Sequence, residues 1–318
     1  MEPRLTPVNA FVSLCRSGDG WPSVLEKAGY YLARLEVPVK VDGRDTVVFD
    51  AVAVRGDGKF ILAMEAKSGS NIEQEQACRL TKVEAASVIR SGAIAVRSEV
   101  RPVLDVCFFG LWEKGERLKK GLHQEGIDLP LVLIGPDRLA LEAGQFRDEE
   151  LARAFSVPIQ VDGPPPAYLR VDERSSDETF RELLRPGIVA SMSRRESTVS
   201  VRVLAERAVP DLGLMGLRHQ QKLLRRFEQA ARTLAIELSD SIHLIERTAA
   251  CPDAVLRILK SPEDSDPRGR TQGYQALARR STRAPKEAPG QLTIEDLLDE
   301  LEEGADTDEA GDDVEVPL

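Results

Sequence analysis

Two short apolar runs, at residues 47–54 and 60–66, stand out in the pattern of hydrophobic and polar positions. The segment between them, residues 55–58 with the sequence RGDG, contains two glycines and an aspartate. These residues tolerate the positive φ angles of a tight turn between antiparallel strands. The pattern therefore predicts a β-hairpin.

Three charged side chains interrupt this apolar background: Asp50 in the first run, and Glu65 and Lys67 at the end of the second. Strand side chains alternate between faces, so Glu65 and Lys67 project from the same side, and pairing across the turn brings Asp50 close to Glu65. Two converging carboxylates repel each other unless a cation lies between them, and Mg²⁺ accepts such oxygen ligands. A neighbouring ammonium can orient water or neutralise charge on a phosphate. The three residues suit metal-assisted attack of water on a phosphodiester.

The flanking segments predict an α/β fold. Apolar spacing of 3–4 residues predicts helices over residues 19–36 and 70–92, and residues 37–41 supply a first strand. Further apolar runs at residues 103–109 and 129–134 predict two more strands, which gives a mixed sheet of about five strands. A helix is predicted over residues 147–155. Asp105, a lone aspartate in the fourth strand, is interpreted as a hydrogen-bonded residue rather than a ligand.

The order Asp50, turn, Glu65-Ala66-Lys67 resembles the PD-(D/E)xK nuclease superfamily, whose members share the restriction endonuclease-like fold. Phe49 stands where the signature has a proline, and the resemblance covers residues 20–135. It implies that Asp50, Glu65 and the carbonyl of Ala66 hold Mg²⁺, or Mn²⁺ in its place, and that Lys67 assists the attacking water.

The same resemblance implies supporting residues on two helices. The first core helix of the superfamily often presents a glutamate to the metal site, and Glu26 is the candidate. The helix after the Glu-x-Lys strand often carries a residue that contacts phosphate or steadies the lysine. Glu73, Gln74 and Gln76 are the options there, and Gln76 is preferred. A solvent-facing role stays open for Glu26 and for each of these three.

The second half of the chain changes towards helix after residues 162–166, DGPPP, which break regular structure. Residues 1–163 are thus assigned to a nuclease domain and residues 168–260 to a helical accessory domain. Residues 236–245 are predicted to form a hairpin that turns at Asp240-Ser241, and two helices followed by a hairpin would suit a winged-helix-like module.

The longest periodic segment, residues 217–238, predicts an amphipathic helix with a basic face. Two interpretations of this face stay open: a solvated surface, and contact with nucleic acid. In the second interpretation the contacting residues are Arg218, Lys222, Arg225 and Arg226.

The end of the chain is predicted to be a flexible linker over residues 261–290 and a disordered acidic tail over residues 291–318. The tail contains twelve acidic residues and no Lys or Arg, so the remaining residues carry 43 basic and 41 acidic side chains. Within it, residues 293–302 have the apolar spacing of a short helix. Such a segment either folds into a groove on a partner or on its own nuclease domain, or serves as a solubilising tail.

Several classes of protein are excluded or disfavoured. No apolar segment reaches the ~18 residues of a membrane span, and no signal-peptide core is present. There is no GxxxxGK[ST] loop, so an ATPase motor would have to be a separate subunit. The cysteines form no CxxC pair, which favours a cytoplasmic protein without zinc knuckles or disulfides; they are Cys15, Cys78, Cys107 and Cys251.

The sequence thus predicts a Mg²⁺-dependent nuclease, with DNA favoured over RNA as substrate, in bacterial antiviral defence or repair. Endonuclease and exonuclease modes of cleavage both stay open. A homodimer is compatible with this interpretation. The alternative is a non-catalytic subunit that binds nucleic acid or protein and keeps the nuclease-like fold as a scaffold.

Overall fold

The structure, a computed structural model, describes residues 2–18, 20–41, 45–248 and 252–279. They divide into two compact units. The first extends through Arg170 and also includes Pro210–Gln221. The second consists of Val171–Val209 and the described residues from Lys222 onward.

The first unit contains a seven-stranded mixed sheet whose strands lie in sequence order. The first three strands are antiparallel, the third, fourth and fifth are parallel, and the last three are antiparallel. The sheet exceeds the predicted five strands because two short antiparallel strands extend one edge. Its members are β1 Tyr30–Val41, β2 Asp45–Arg55, β3 Phe60–Lys67, β4 Val103–Leu111, β5 Leu131–Ile134, β6 Arg138–Ala143 and β7 Ile159–Gln160.

Helices cover both faces of this sheet. They are α1 Thr6–Leu14, α2 Val24–Lys27, α3 Gln74–Thr81, α4 Ala85–Gly92, α5 Gly115–Gln124 and α6 Glu149–Ala154. On one face, Phe11 of α1 packs edge-on against Phe109 of β4, with ring centroids 5.4 Å apart. On the other, buried side chains of α3, α4 and α5 join the strands in one apolar cluster that includes Ala63 of β3 and Leu80 of α3. The predicted mixed α/β architecture is therefore present.

The helix predicted over residues 19–36 is wrong. Among the described residues of this range, only Val24–Lys27 is helical, and Gly29, with a φ of +83°, follows it. From Tyr30 onward the chain is a strand that pairs with β2 from Arg55 to Asp45. The aromatic and apolar residues there have a spacing that fits either a helix or a strand. Pairing along the whole of β2 makes this segment a strand. Helix α1, which precedes this region, was not predicted.

The single helix predicted over residues 70–92 is in fact two helices, α3 and α4. Lys82 ends α3 and Glu84 precedes α4. Between them Val83 packs against the apolar cluster of the sheet. A break at this β-branched residue lets both short helices turn their apolar sides to the same core.

The second unit is mainly helical and includes a small antiparallel sheet with the order β8-β10-β9. Its buried centre includes Phe180 and Phe227, whose rings meet edge-on at 4.9 Å. The elements are α7 Asp177–Ser193, β8 Thr198–Ser200, α8 Val201–Ala208, α9 Leu217–Glu237, β9 Ile242–Ile245, β10 Val255–Ile258 and α10 Pro267–Arg279. The first five residues of α9 belong to the first unit.

Two predictions for this region need correction. The hairpin over residues 236–245 does not form, because α9 continues to Glu237 and β9 pairs with β10 instead. The linker predicted over residues 261–290 contains α10, which the buried ring of Tyr274 holds in place. Residues 280–318, with the acidic tail and the predicted helix at 293–302, lie outside the described residues. Among the described helices, none has the length and apolar character needed to cross a bilayer.

Candidate active site

Strands β2 and β3 bring Asp50 next to the Glu65–Lys67 segment. The antiparallel ladder ends with the pair Ala51–Met64, and Asp50 and Glu65 follow directly on either side. Beyond that pair, the Asp50 carboxylate accepts a hydrogen bond from the main-chain amide of Ala66, with Oδ2 2.6 Å from the nitrogen. A side chain thus replaces the next main-chain bond of the ladder and fixes the acid beside Glu65.

Glu65, Lys67 and Gln76 form a closed set of hydrogen bonds. The Lys67 ammonium donates to Glu65 Oε1 at 3.2 Å and to Gln76 Oε1 at 2.7 Å. The Gln76 amide donates to the same Glu65 oxygen at 2.7 Å. Gln76 lies in the first turns of α3, which packs on the face of the sheet from which Glu65 and Lys67 project. The structure therefore brings together four of the five predicted catalytic residues.

Burial sets the electrostatics of this cluster. The side chains of Glu65 and Lys67 are 9% and 13% exposed. Burial raises the pKa of Glu65 above its ordinary value, while Lys67 and Gln76 offset part of that rise and Glu73 adds to it. The Lys67 ammonium also lies 5.7 Å from the ring centroid of Phe108. Two hydrogen bonds and the ring of Phe108 hold the lysine in one orientation.

The available ligands for a metal are oxygen atoms. Asp50 and Glu65 supply carboxylates, and Ala66 supplies a carbonyl between Glu65 and Lys67. Both hydrogen bonds that Glu65 accepts end on Oε1. In the part of the chain that the structure describes, no group of three or more His, Cys, Asp or Glu side chains could hold a metal, so protein side chains alone do not complete a coordination sphere. The donor set is two carboxylates and a carbonyl, which fits Mg²⁺ that retains several waters.

Glu26 is not brought to this cluster. It is exposed on α2, where its Oε1 accepts a hydrogen bond from Ser17 at 3.0 Å. Helix α2 leads into Tyr30, which pairs with Arg55 at the turn end of β2. That pair is five residues along the strand from Asp50, or about 17 Å at strand spacing. The expected role of Glu26 depended on a long helix that does not form.

Glu36 is an acid on the strand next to Asp50 that the sequence did not single out. Its neighbours in β1 pair as Leu35–Ala51 and Val37–Phe49, so Glu36 lies opposite Asp50. Its φ is 52°, which is uncommon for a residue with a side chain. His219 Nδ1 lies 3.7 Å from its carboxylate. One sequence signal could have placed Glu36 in a strand. Valines alternate at residues 37, 39 and 41, and the strand they predict could have been extended towards the N-terminus.

A second buried polar cluster lies at the turn end of the hairpin and has a structural role. Asp148, the N-cap of α6, accepts hydrogen bonds from the Tyr30 hydroxyl at 2.6 Å and from Arg55 at 2.9 Å. Asp105 accepts hydrogen bonds from the amides of Arg147 and Asp148. The interpretation of Asp105 as a hydrogen-bonded residue agrees with this placement.

The four basic residues predicted to contact nucleic acid differ in their surroundings. Arg226 donates to the carbonyls of Glu173 and Ser175 at 2.6 and 2.7 Å, and it lies over the ring of Phe180. Its guanidinium is therefore engaged in contacts that hold the fold. Lys222 pairs with Glu173 at 2.8 Å. Arg218 and Arg225 are exposed.

The sheet and its helices coincide with a recognised domain. Comparison with curated proteins and with solved structures finds no match. The sequence model of the MJECL32 domain matches residues 5–169, more than half of the chain. Near the two ends of this range, the Asn9 side chain exchanges two hydrogen bonds with the backbone of Leu169, at 2.7 and 2.9 Å. The chain therefore belongs to the MJECL32 domain family.

Proposed function

We propose that this protein is a metal-dependent nuclease of the PD-(D/E)xK type, which hydrolyses phosphodiester bonds in DNA. The observation that carries the proposal is the convergence of Asp50, Glu65 and Lys67 on adjacent strands, with Gln76 bonded to both members of the Glu65–Lys67 pair. A buried lysine and glutamate on a sheet are expensive to desolvate. Chemical use of the pair explains why the fold tolerates this cost.

Each residue has a role that follows from its contacts. Asp50, Glu65 and the Ala66 carbonyl would hold Mg²⁺ or Mn²⁺, which when bound supplies a polarised water and neutralises phosphate charge. Hydrolysis joins the water oxygen to phosphorus and breaks one P–O ester bond. The water releases a proton to solvent, the leaving oxygen takes one up to become a hydroxyl, and negative charge grows on the phosphoryl oxygens between these steps. Lys67, oriented by Gln76, is placed to offset that charge. Glu65 orients the lysine from its other side.

The order of elements supports a restriction endonuclease-like core. An antiparallel meander β1-β2-β3 ends in Glu-Ala-Lys, and α3 and α4 then lead to the parallel strand β4. The second unit runs in the order α7, β8, α8, α9, β9 and β10, and its first strand pairs with its last. That arrangement supports a winged-helix-like assignment for the second unit.

The alternative is a non-catalytic subunit that binds nucleic acid or protein and keeps the same scaffold. The Asp50–Ala66 hydrogen bond favours this alternative, because it gives Asp50 a role in stabilising the hairpin that requires no metal. The two functions differ in one measurable respect, because only the nuclease requires Lys67 and a divalent cation for turnover.

The deciding experiment is cleavage of plasmid DNA and labelled duplexes with Mg²⁺ or Mn²⁺, for the full chain and for Lys67→Ala and Asp50→Ala. Lys82→Ala and Asp45→Ala are matched controls, because both residues are exposed, Asp45 lies on the strand of Asp50, and Lys82 caps the end of α3. We expect loss of at least ~100-fold for the first pair, the scale of one lost charge-stabilising group, and wild-type rates for the controls. Equal rates in all preparations would refute the nuclease. Single-stranded DNA and RNA substrates test the expected preference for DNA.

A nuclease of this kind would act in antiviral defence or in repair. Phage plaque counts on bacteria that express the wild type or Lys67→Ala test the first role. Survival after DNA damage tests the second. Equal counts and equal survival for the two forms would remove both roles and leave the enzymatic proposal standing.

A further inference from the structure

Helix α9 exposes a narrow row of basic and amide side chains. We call it the α9 outer stripe and define it as Lys222, Arg225, Gln229 and Arg232, all of which are exposed and belong to the second unit. Their spacing of 3, 4 and 3 residues places them within about a quarter turn of one another on a helix of 3.6 residues per turn. The stripe is about 15 Å long at 1.5 Å per residue.

The opposite side of α9 fixes which way the stripe faces. Leu223, Phe227, Ala230 and Leu234 are buried within the second unit, at 0–3% exposure. Their spacing of 4, 3 and 4 residues forms an apolar side that cannot rotate outward without breaking the core. The outer stripe is therefore held on the surface by the packing of the helix.

The stripe carries positive charge and no acidic side chain. Glu228 lies off the stripe and pairs with Arg247, and Glu237 at the end of the helix pairs with Arg185. Within the described residues Arg225 forms no ion pair. Lys222 and Arg232 pair with side chains that remain partly exposed, Glu173 and Glu246, and Arg232 also donates a hydrogen bond to Gln229. Such surface pairs contribute little stability, so phosphate groups can replace the carboxylates.

We propose that the α9 outer stripe inserts into the major groove of duplex DNA and reads base edges there. The groove is about 12 Å wide and admits an α-helix. Arg225 can bond bidentately to guanine and Gln229 to adenine, while Lys222 and Arg232 contact phosphates on either side. The two reading residues lie about 6 Å apart along the helix, which spans one to two base-pair steps of about 3.4 Å.

The chemistry favours duplex DNA over other acidic partners. The major groove of A-form RNA is deep and narrow, so a helix cannot enter it. An acidic protein surface would satisfy the arginines alone. The Gln229 oxygen, which accepts from Arg232 at 2.6 Å, can pair with adenine once Arg232 turns to a phosphate. The proposal concerns a surface distinct from the Asp50 cluster, and it stands whether or not the chain cleaves DNA.

The test is binding of the full chain, with Lys67→Ala to prevent cleavage, to a pool of random duplexes followed by sequencing of the bound fraction. We expect an enriched site that contains guanine and adenine within two positions of each other. Fluorescence anisotropy on that site, in buffer without divalent cations, then compares Arg225→Ala and Gln229→Ala in the same background. Each should weaken binding about tenfold or more, the value of one bidentate base contact.

Two further variants separate base reading from simple charge. Arg268→Ala removes an exposed arginine of α10 in the same unit and should bind like the parent. Arg225→Lys keeps the charge but not the bidentate fork, so it should retain binding to random DNA and lose the preference for guanine. The proposal is overturned if Arg225→Ala binds like Arg268→Ala, if no sequence is enriched, or if duplex RNA of the same sequence binds equally well.

Discussion

The Asp50 carboxylate takes the place of a main-chain acceptor for the amide of Ala66, at 2.6 Å. One side chain thus closes the end of the β2–β3 ladder and is presented to the metal site of the proposed nuclease. Structural and chemical roles coincide in this residue, and they can be separated by the choice of substitution.

Asp50→Asn should preserve the fold and abolish turnover. The amide oxygen of asparagine can still accept the hydrogen bond from Ala66, so stability should stay within about 0.5 kcal/mol of wild type. Asp50→Ala removes the acceptor and should cost about 1–2 kcal/mol. Cleavage with Mg²⁺ should fall at least ~100-fold in both variants. Asparagine with wild-type activity would show that the carboxylate charge has no role in metal binding.

Gln76→Ala should slow cleavage about tenfold without loss of substrate binding, because Lys67 loses one of its two orienting hydrogen bonds. Gln74→Ala is the matched control, since Gln74 is exposed and begins the same helix. Single-turnover kinetics at saturating DNA separate the chemical step from binding. A similar decrease in both variants would assign the effect to α3 rather than to the contact with Lys67.

Tyr30→Phe should destabilise the first unit by about 1.5–3 kcal/mol, the value of a hydrogen bond to a charged group. The buried hydroxyl donates to Asp148 at 2.6 Å. Trp21 and Trp112, the two tryptophans of the chain, both lie in this unit, so their fluorescence reports its unfolding alone. Tyr31→Phe, at a residue 47% exposed, should leave stability unchanged.

The stability difference between wild type and Tyr30→Phe should also depend on pH. Burial, and then the contact with Asp148, raise the pKa of Tyr30 above its ordinary value of 10.0. The folded state therefore keeps the proton when the unfolded chain loses it, so the contribution of Tyr30 to stability is full below pH 10 and declines above it. The stability difference between wild type and Tyr30→Phe should shrink as the pH rises from 9 to 11. A constant difference over that range would contradict the assignment.

Gly144→Ala should be more harmful than Gly126→Ala, although both glycines have a φ near +65°. A Cβ on Gly144 would lie 2.6 Å from the main chain of Leu129, which cannot move without breaking β5 from β6. No atom lies within 4 Å of a Cβ on Gly126. We expect the free energy of unfolding to fall by about 3 kcal/mol in Gly144→Ala and by about 1 kcal/mol in Gly126→Ala. Urea unfolding followed by tryptophan fluorescence measures both.

The sequence by itself determined those features that depend on neighbours along the chain. The RGDG turn and the two apolar runs predicted the hairpin, and strand alternation placed Glu65 and Lys67 on one face. The apolar side of α9 was likewise readable, because helical spacing fixes which residues share a face. These signals are local and periodic, so no knowledge of the partner elements was required.

Only the tertiary structure decided which elements meet. Residues 30–36 have a spacing that suits helix or strand, and pairing with β2 made them a strand, which removed Glu26 from the site and placed Glu36 opposite Asp50. Docking of α3 on the sheet gave Gln76 its bonds to Lys67 and Glu65. Packing of α9 directed Arg226 inward and left Arg225 exposed. The physical reason is that periodicity defines a face, whereas the burial and hydrogen bonding of that face depend on residues distant in sequence.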